Sequence, residues 1–273
     1  MPENTYVIRH PSAYMHLAPD VRSEASDELL YGAVLRKVSS KSQNGFFRCE
    51  TSYGYSGYVC ERYLSDLNEK TGEKTYIVTA PECDLLCEPV YKYRPIMTLS
   101  RGSLLRSDAA FDGDSRFYKV AHGNNCCYVR SDAIKPYSEI SSVKQSESAR
   151  LRKRICDVAL SYTGTQYRWA GKSAFGIDCS GLCFMAYYIC GLPLWRDASF
   201  DRRYVYEIDR EEIAEADLIY FKGHVAMYIG GGEFVHASAS RGKVEIGSID
   251  EDSIYYRHDL AKKIMCFARS NLL

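Results

Sequence analysis

The first part of the chain carries short apolar runs that glycines interrupt. Residues 6–8 and 46–49 are apolar and β-prone, and glycines separate such runs at intervals of roughly 5–12 residues. No helical periodicity spans these runs. The pattern over about residues 5–66 therefore predicts short strands and turns that form a small β-barrel.

The same plan returns further along the chain. Residues 97–105 parallel residues 29–35, which surround Gly32, and residues 117–120 parallel residues 46–49. A spacing of about 70 residues is too long for a solenoid repeat and indicates a duplicated domain. We therefore expect one β-module over residues 1–70 and a second over residues 71–138.

The pattern changes after a serine-rich linker at residues 138–148. Leu151, Ile155, Val158 and Ala159 form a helical stripe, and a second apolar helix over residues 182–189 ends at Gly191. Apolar strands follow one another from residue 218 to residue 268. Helices first and consecutive strands afterwards predict an α+β domain with an antiparallel sheet over residues 139–273.

Charge and cysteine content reduce the number of functions that the chain can have. The 273 residues carry 35 basic and 35 acidic side chains and no basic block, which argues against nucleic acid or a membrane surface as partner. No apolar stretch approaches about 18 residues, and the N-terminus lacks the pattern of a secretion signal. The 11 cysteines have no framework spacing. We therefore expect free thiols and a cytoplasmic protein.

A cysteine marks the start of the second helix. Cys179 stands between Asp178 and Ser180, directly before the apolar run. Unpaired N–H groups and the helix dipole at that end favour an anion, so we expect the pKa of this thiol to be lowered and the thiol to be a nucleophile. The alternative is an ordinary buried cysteine.

Two histidines can complete a catalytic set with this cysteine. His224 opens one strand and His236 lies on the next, joined by a turn at residues 230–232, so the strands should form a hairpin. His224 would take the thiol proton, His236 would orient His224, and the N–H of Cys179 would stabilise an oxyanion. Structural histidines are one alternative, and a metal site is another, although this set lacks a fourth ligand.

A zinc site in the second module is a further alternative. Cys83, Cys87, Cys126 and Cys127 are candidate ligands. Adjacent cysteines in a strand point to opposite faces, which suits one tetrahedral site poorly. We therefore predict ordinary thiols, and neither a metal nor a cofactor.

Several blocks of sequence resemble the NlpC-type cell-wall cysteine peptidases, in order and in spacing. They are YRWAG at 167–171, DCSGL at 178–182, DL at 217–218, GHVAMYIG at 223–230 and FVHA at 234–237. The resemblance covers about residues 145–270 and implies a papain-like, circularly permuted α+β fold whose catalytic residues are Cys179, His224 and His236. The duplicated β-modules resemble bacterial SH3-like barrels. Ala216 stands where the family usually has glycine.

With two such modules in front, the chain looks most like the γ-D-glutamyl-L-diamino-acid endopeptidases. The resemblance implies a murein peptide as the substrate. In the peptidase domain it assigns substrate contacts to the following residues: Tyr167, Asp178, Ser180, Arg196, Asp197 and Ser199. Ala198 departs from an Arg-Asp-Ser pattern, so Ser199 would have to substitute. In the first module, Glu28 and Tyr55 would line the cleft, with Glu24 or Asp27 as alternatives to Glu28.

The resemblance is compatible with more than one function. The first is a recycling peptidase for murein peptides with a free N-terminal L-alanine, whose amine would need an anionic partner such as Asp178. The others are an exported hydrolase acting on glycan-linked peptides, an inert wall-binding protein, and acyl transfer by the same thiol. The complete Cys179, His224 and His236 set favours a peptidase. No apolar acyl groove is evident in the sequence.

Overall fold

The computed structural model describes residues 5–66, 72–109, 115–141 and 148–273. The chain divides into two compact units, Met1–Ile140 and Ser141–Leu273. The first unit is built from strands. The second combines helices with one sheet.

Seven strands at the start of the first unit form one antiparallel sheet, in the order β3-β2-β6-β5-β4-β1-β7. The strands are β1 (Thr5–Ile8), β2 (Ser12–His16), β3 (Ala25–Leu30), β4 (Val34–Lys37), β5 (Phe46–Thr51), β6 (Ser56–Cys60) and β7 (Leu64–Asp66). Their buried side chains make one small core, which includes Ile8, Met15 and Leu35.

The next seven strands repeat this arrangement. They are β8 (Lys74–Val78), β9 (Glu82–Leu85), β10 (Met97–Ser100), β11 (Leu104–Ser107), β12 (Phe117–His122), β13 (Asn125–Arg130) and β14 (Ile134–Pro136). A hairpin of β10 and β9 accompanies a sheet in the order β13-β12-β11-β8-β14, and a bridge between Leu86 and Tyr128 connects the two. The strand order therefore matches that of the first sheet, as a duplicated domain requires.

The loop around Gly32 joins the two β-modules of the first unit. The N–H of Leu104 donates to the carbonyl of Tyr31 at 2.8 Å, and the Tyr31 hydroxyl lies 2.9 Å from Nδ1 of His122. Gly32 has a φ of +79°, and a Cβ there would lie 2.0 Å from the Leu104 carbonyl oxygen. Only glycine allows this close approach of the two backbones.

The second unit places two helices against a six-stranded antiparallel sheet in the order β17-β22-β18-β19-β20-β21. A short α1 (Tyr137–Ser141) crosses the boundary between the units. The remaining helices are α2 (Ser148–Leu160), α3 (Cys179–Ile189) and α4 (His258–Ala261). The strands are β15 (Lys172–Ser173), β16 (Gly176–Ile177), β17 (Val205–Ile208), β18 (Leu218–Phe221), β19 (His224–Gly230), β20 (Glu233–Ser238), β21 (Lys243–Ser248) and β22 (Ile264–Ser270). Within the described ranges, no helix has the length and apolar character needed to cross a bilayer.

A buried carboxylate ties α2 to the sheet. Asp217, which is fully buried, accepts hydrogen bonds from Arg152 of α2 and from Arg269 of β22, each at a closest distance of 2.8 Å. The preceding Ala216 has a φ of +68°, in the left-handed region that favours glycine. A glycine would adopt this conformation without the strain that the alanine side chain adds.

The close approach at Gly32 yields a stability prediction. Gly32→Ala should destabilise the first unit more than Gly54→Ala does, because both residues have positive φ but a Cβ at Gly54 meets nothing within 4 Å. The extra cost of the clash should be about 1–3 kcal/mol. Hydrogen exchange of the strands in the first unit measures it, and equal losses in the two variants would contradict the account.

Candidate active site

Asp178 fixes the start of α3, where Cys179 is the first helical residue. One Asp178 carboxylate oxygen accepts the backbone N–H of Gly181 at 2.6 Å, which is the N-cap bond that a helix start requires. A Cβ at Gly181 would lie 2.2 Å from the carbonyl oxygen of Gly171. Glycine therefore follows the Cys-Ser pair because the helix start packs directly on the chain at Gly171.

The buried side chain of Arg196 binds the residues at the start of α3. Its guanidinium makes two bonds to the Asp178 carboxylate, at 3.1 and 3.2 Å, and also donates to the Ser180 hydroxyl at 3.0 Å and to the Gly171 carbonyl at 3.3 Å. Arg196 is only 1% exposed. A planar guanidinium can make such a two-pronged contact with a carboxylate, which a lysine cannot.

The hairpin of β19 and β20 brings the two histidines together. Met227 lies opposite Val235, so His236 comes one residue after this pair on β20, while His224 begins β19. Nε2 of His224 lies 2.9 Å from Nδ1 of His236, at hydrogen-bonding distance. This contact uses Nε2 and leaves Nδ1 as the ring nitrogen of His224 that can serve another partner.

Backbone groups place the thiol next to the histidine strand. The N–H groups of Val225, which follows His224, and of Ser180 hydrogen-bond to the Cys179 sulfur. Helix α3 packs against both β19 and β20. The structure therefore brings the Cys179 thiol next to the strand that begins at His224, and the catalytic roles of Cys179, His224 and His236 stay predictions.

The electrostatics of the thiol differ from the expectation drawn from the helix end. Burial, followed by the charge on Asp178, raises the pKa of the Cys179 thiol to about 11, although the two N–H donors and Arg196 act in the opposite direction. The helix end does favour the thiolate, but Cys179 is only 8% exposed and the lost solvation outweighs that effect. The predicted lowering of the thiol pKa is therefore wrong for the resting site.

The two histidines are also neutral at rest. Burial lowers the pKa of His224 to about 4, and burial together with the neighbouring His224 lowers the pKa of His236 to about 3. Asp178 and Asp259 raise the pKa of His224, while Arg257 lowers it. The resting site thus pairs a neutral thiol with neutral imidazoles near pH 7.

A charged cluster that the sequence did not reveal lies at the other end of the histidine pair. Arg257 places Nη1 3.4 Å from Nε2 of His236 and binds Glu245 at 2.7 Å. It also makes two bonds to Asp259. Because Glu245 lies on β21 directly opposite His236, strand register was the signal that could have found it.

The other predicted substrate residues of this unit lie around the helix start. Tyr167 is partly buried, and burial followed by the charges on Cys179 and Asp178 raises the pKa of its phenol to about 12. Ser180 is buried and donates to Asp178. Asp197 is partly buried, and exposed Ser199 accepts a hydrogen bond from Trp195 at 3.1 Å. Their contacts with substrate stay predictions.

Glu28 and Tyr55 belong to the first unit. Glu28 is buried on β3 opposite Tyr14, and Tyr55 packs partly buried against the core of its sheet. The neighbouring Asp27 is buried as well and accepts a hydrogen bond from Tyr53. Whether Glu28 and Tyr55 contact substrate stays a prediction.

The two adjacent cysteines on β13 of the second module differ in burial, because successive side chains of a strand point to opposite faces. Cys126 is exposed, whereas the adjacent Cys127 is buried in the core. Among the residues that the structure describes, no group of three or more histidine, cysteine or acidic side chains is arranged to hold a metal ion.

Comparison with known proteins shows which family the chain belongs to. The NlpC/P60 family model matches residues 164–263. A dipeptidyl-peptidase 6 of Lysinibacillus sphaericus is 36% identical over 261 residues, which cover 92% of this chain and 94% of the relative. A gamma-D-glutamyl-L-lysine dipeptidyl-peptidase of Bacillus cereus is 29% identical over 205 residues, which cover 71% of this chain and 59% of the relative.

A solved structure extends the likeness to the whole fold. The crystal structure of an NlpC/P60 family protein from Bacillus cereus has a TM-score of 0.79 at 22% identity, over 97% of this chain and 99% of that chain. The predicted fold class, two SH3-like barrels followed by an α+β papain-like domain, is confirmed. The chain belongs to the NlpC/P60 family and is a cysteine-type peptidase.

Proposed function

We propose that the chain hydrolyses the γ-D-glutamyl–L-diamino acid bond of murein peptides whose N-terminal L-alanine is free. The observation that carries the proposal is the extent of the likeness to dipeptidyl-peptidase 6, which covers 92% of this chain and so includes the β-modules as well as the peptidase domain. The second relative is named for the γ-D-glutamyl-L-lysine bond.

The site supplies each group that the reaction needs. Cys179 Sγ attacks the γ-carbonyl carbon of D-glutamate while Nδ1 of His224 takes the thiol proton. The N–H of Cys179, at the start of α3, stabilises the oxyanion. His224 then gives its proton to the departing amine of the diamino acid, which leaves an L-Ala-γ-D-Glu thioester on Cys179. Water activated by His224 hydrolyses the thioester.

Recognition of a free amine needs an anionic partner in the protein. Asp178 already accepts from Gly181, Ser180 and Arg196, so its charge is largely offset inside the protein. Asp197, which the resemblance also assigns to substrate contact, is a further candidate for the amine. A free peptide of this kind is met during recycling, and eleven free cysteines suit a reducing compartment. We therefore also propose that the protein acts in the cytoplasm.

The test compares three related peptides. L-Ala-γ-D-Glu-L-Lys or its diaminopimelate counterpart should be cut to the L-Ala-D-Glu dipeptide, as mass spectrometry of the products shows. N-acetylation should lower kcat/KM by roughly 30-fold or more, because a buried carboxylate then loses its charged partner. A peptide joined through the α-carboxyl of D-glutamate is the matched control and should not be cut.

Other outcomes of this comparison would change the proposed substrate. Equal rates on free and acetylated peptide, or efficient digestion of intact murein sacculi, would contradict recognition of the amine and favour an exported hydrolase. Failure to cut any of these peptides would contradict the proposed substrate.

The roles of the two histidines make a second prediction. His224→Ala should lower kcat by on the order of 10²–10⁴-fold, because it removes the general base, and His236→Ala should cost less, because it removes an orienting group. The exposed His258 in the same unit gives the control variant His258→Ala, which should stay active. A near-normal kcat for His224→Ala would remove His224 from the mechanism.

The lowered pKa of His224 makes a third prediction. His224 must be neutral to accept the thiol proton, so kcat/KM should persist below pH 6.5 and fall only as the pH approaches about 4. A pH–rate profile measures this. An acid limb centred at pH 6.5 or above would contradict it.

Protein stability must be followed over the same range. Both histidines have a lower pKa in the fold than when unfolded, so the unfolded chain binds more protons below pH 6.5. The stability that comes from burying them neutral is therefore lost as the pH falls from about 6.5 towards 4. Circular dichroism at each pH separates unfolding from protonation of His224.

A further inference from the structure

The strand register places a carboxylate beside the second histidine. His236 and Glu245 are Cα partners in the ladder of β20 and β21, so their side chains project from the same face of the sheet. Glu245 Oε1 lies 3.8 Å from Nε2 of His236, and Arg257 Nη1 lies 3.4 Å from the same nitrogen. Two side chains of opposite charge thus face one ring nitrogen.

Glu245 and Arg257 favour opposite tautomers of His236. A guanidinium can only donate a hydrogen bond, so Arg257 favours a bare Nε2. A carboxylate can only accept, so Glu245 favours a proton on Nε2. A neutral imidazole carries only one proton. Nδ1 of His236 is therefore protonated when Nε2 is bare, and bare when Nε2 is protonated.

The tautomer of His236 determines the tautomer of His224 through the 2.9 Å contact between the two rings. With a proton on Nε2 of His236, its Nδ1 accepts from Nε2–H of His224, and Nδ1 of His224 keeps a lone pair. With a bare Nε2 on His236, its Nδ1–H donates to His224, whose own proton must then sit on Nδ1. Only the first arrangement leaves His224 able to take the proton of Cys179.

We propose that Glu245 is a positioning residue whose carboxylate, facing Nε2 of His236, favours a proton on that nitrogen and so selects the tautomer of the histidine pair in which His224 is a competent base. The inference rests on the cysteine-peptidase chemistry of the proposed function, and not on which murein peptide is cut.

Arg257 holds Glu245 in place for this role. Its Nη1 donates to Glu245 at 2.7 Å, while Nε and Nη2 bind Asp259 at 2.9 and 3.0 Å. Gly247 leaves space for the arginine stem, because a Cβ there would lie 3.1 Å from Arg257 Cγ. With Nη1 directed to the carboxylate, Arg257 anchors Glu245 and competes less for the histidine.

The cluster also places charges near the histidine pair, which gains a proton in the reaction. Glu245 and Asp259 carry two negative charges against the one positive charge of Arg257, so the cluster has a formal net charge of −1. The histidine pair gains a positive charge when His224 takes the thiol proton. Arg257 opposes that charge and Asp259 favours it, so the carboxylates of the cluster offset the nearby guanidinium.

The test uses variants that keep the fold. The Glu245 side chain is 22% exposed, so Glu245→Met leaves no buried cavity and removes the acceptor. Glu245→Gln keeps an acceptor without the charge, and the double variant Glu245→Met with Arg257→Met also removes the competing donor. Glu233→Met, on the neighbouring strand β20, is the matched control.

The direct readout is the tautomer of each histidine, from the nitrogen chemical shifts of the side chains at neutral pH, assigned with His224→Gln and His236→Gln. In the wild type both rings should carry the proton on Nε2. Glu245→Met should move both protons to Nδ1 and lower kcat by roughly 10–100-fold with little change in KM. Glu245→Gln and the double variant should recover much of kcat, and Glu233→Met should match the wild type.

Two results would overturn the inference. One is a wild type with the proton on Nδ1 of either histidine, and the other is Glu245→Met with unchanged tautomers and unchanged kcat. Because the tautomers are read without substrate, a failure of the proposed substrate leaves this test intact.

Discussion

The buried ion pair between Arg196 and Asp178 is the contact on which the rest of the site depends. It holds the residue that caps α3, and the cap sets the direction of the first helical turn, which carries Cys179. Removing one partner of a buried pair leaves an uncompensated charge, which typically costs about 3–5 kcal/mol. The aspartate before the cysteine is therefore needed to build the helix start that carries Cys179.

Burial of this site determines how the nucleophile is activated. The thiol and both histidines lose solvation, so each favours its neutral form at rest. The proton must then move from Cys179 to His224 during attack, and the site needs groups that favour the charged pair at that moment. The N–H groups of Val225 and Ser180 stabilise the developing thiolate. Asp178 and Asp259 favour the developing imidazolium of His224, against the opposing charge of Arg257.

Much of this arrangement could be predicted from the sequence because it follows from local signals. The helix that begins at Cys179, the hairpin that carries His224 and His236, and the duplicated β-modules all follow from periodicity and glycine position. The thiol pKa could not be predicted this way, because it depends on how deeply the helix start is buried by packing. Glu245 and Arg257 were missed because their link to His236 depends on strand register and on a side chain that crosses Gly247.

The central claim is that Cys179, assisted by the histidine pair, forms a covalent acyl-enzyme. Rapid acid quenching during turnover of L-Ala-γ-D-Glu-L-Lys, followed by proteolysis and mass spectrometry, tests it most directly. The account predicts one added L-Ala-D-Glu acyl group, carried by the peptide that contains Cys179 and by none with the other ten cysteines. An acyl group on another residue, or full turnover by Cys179→Ala, would contradict it.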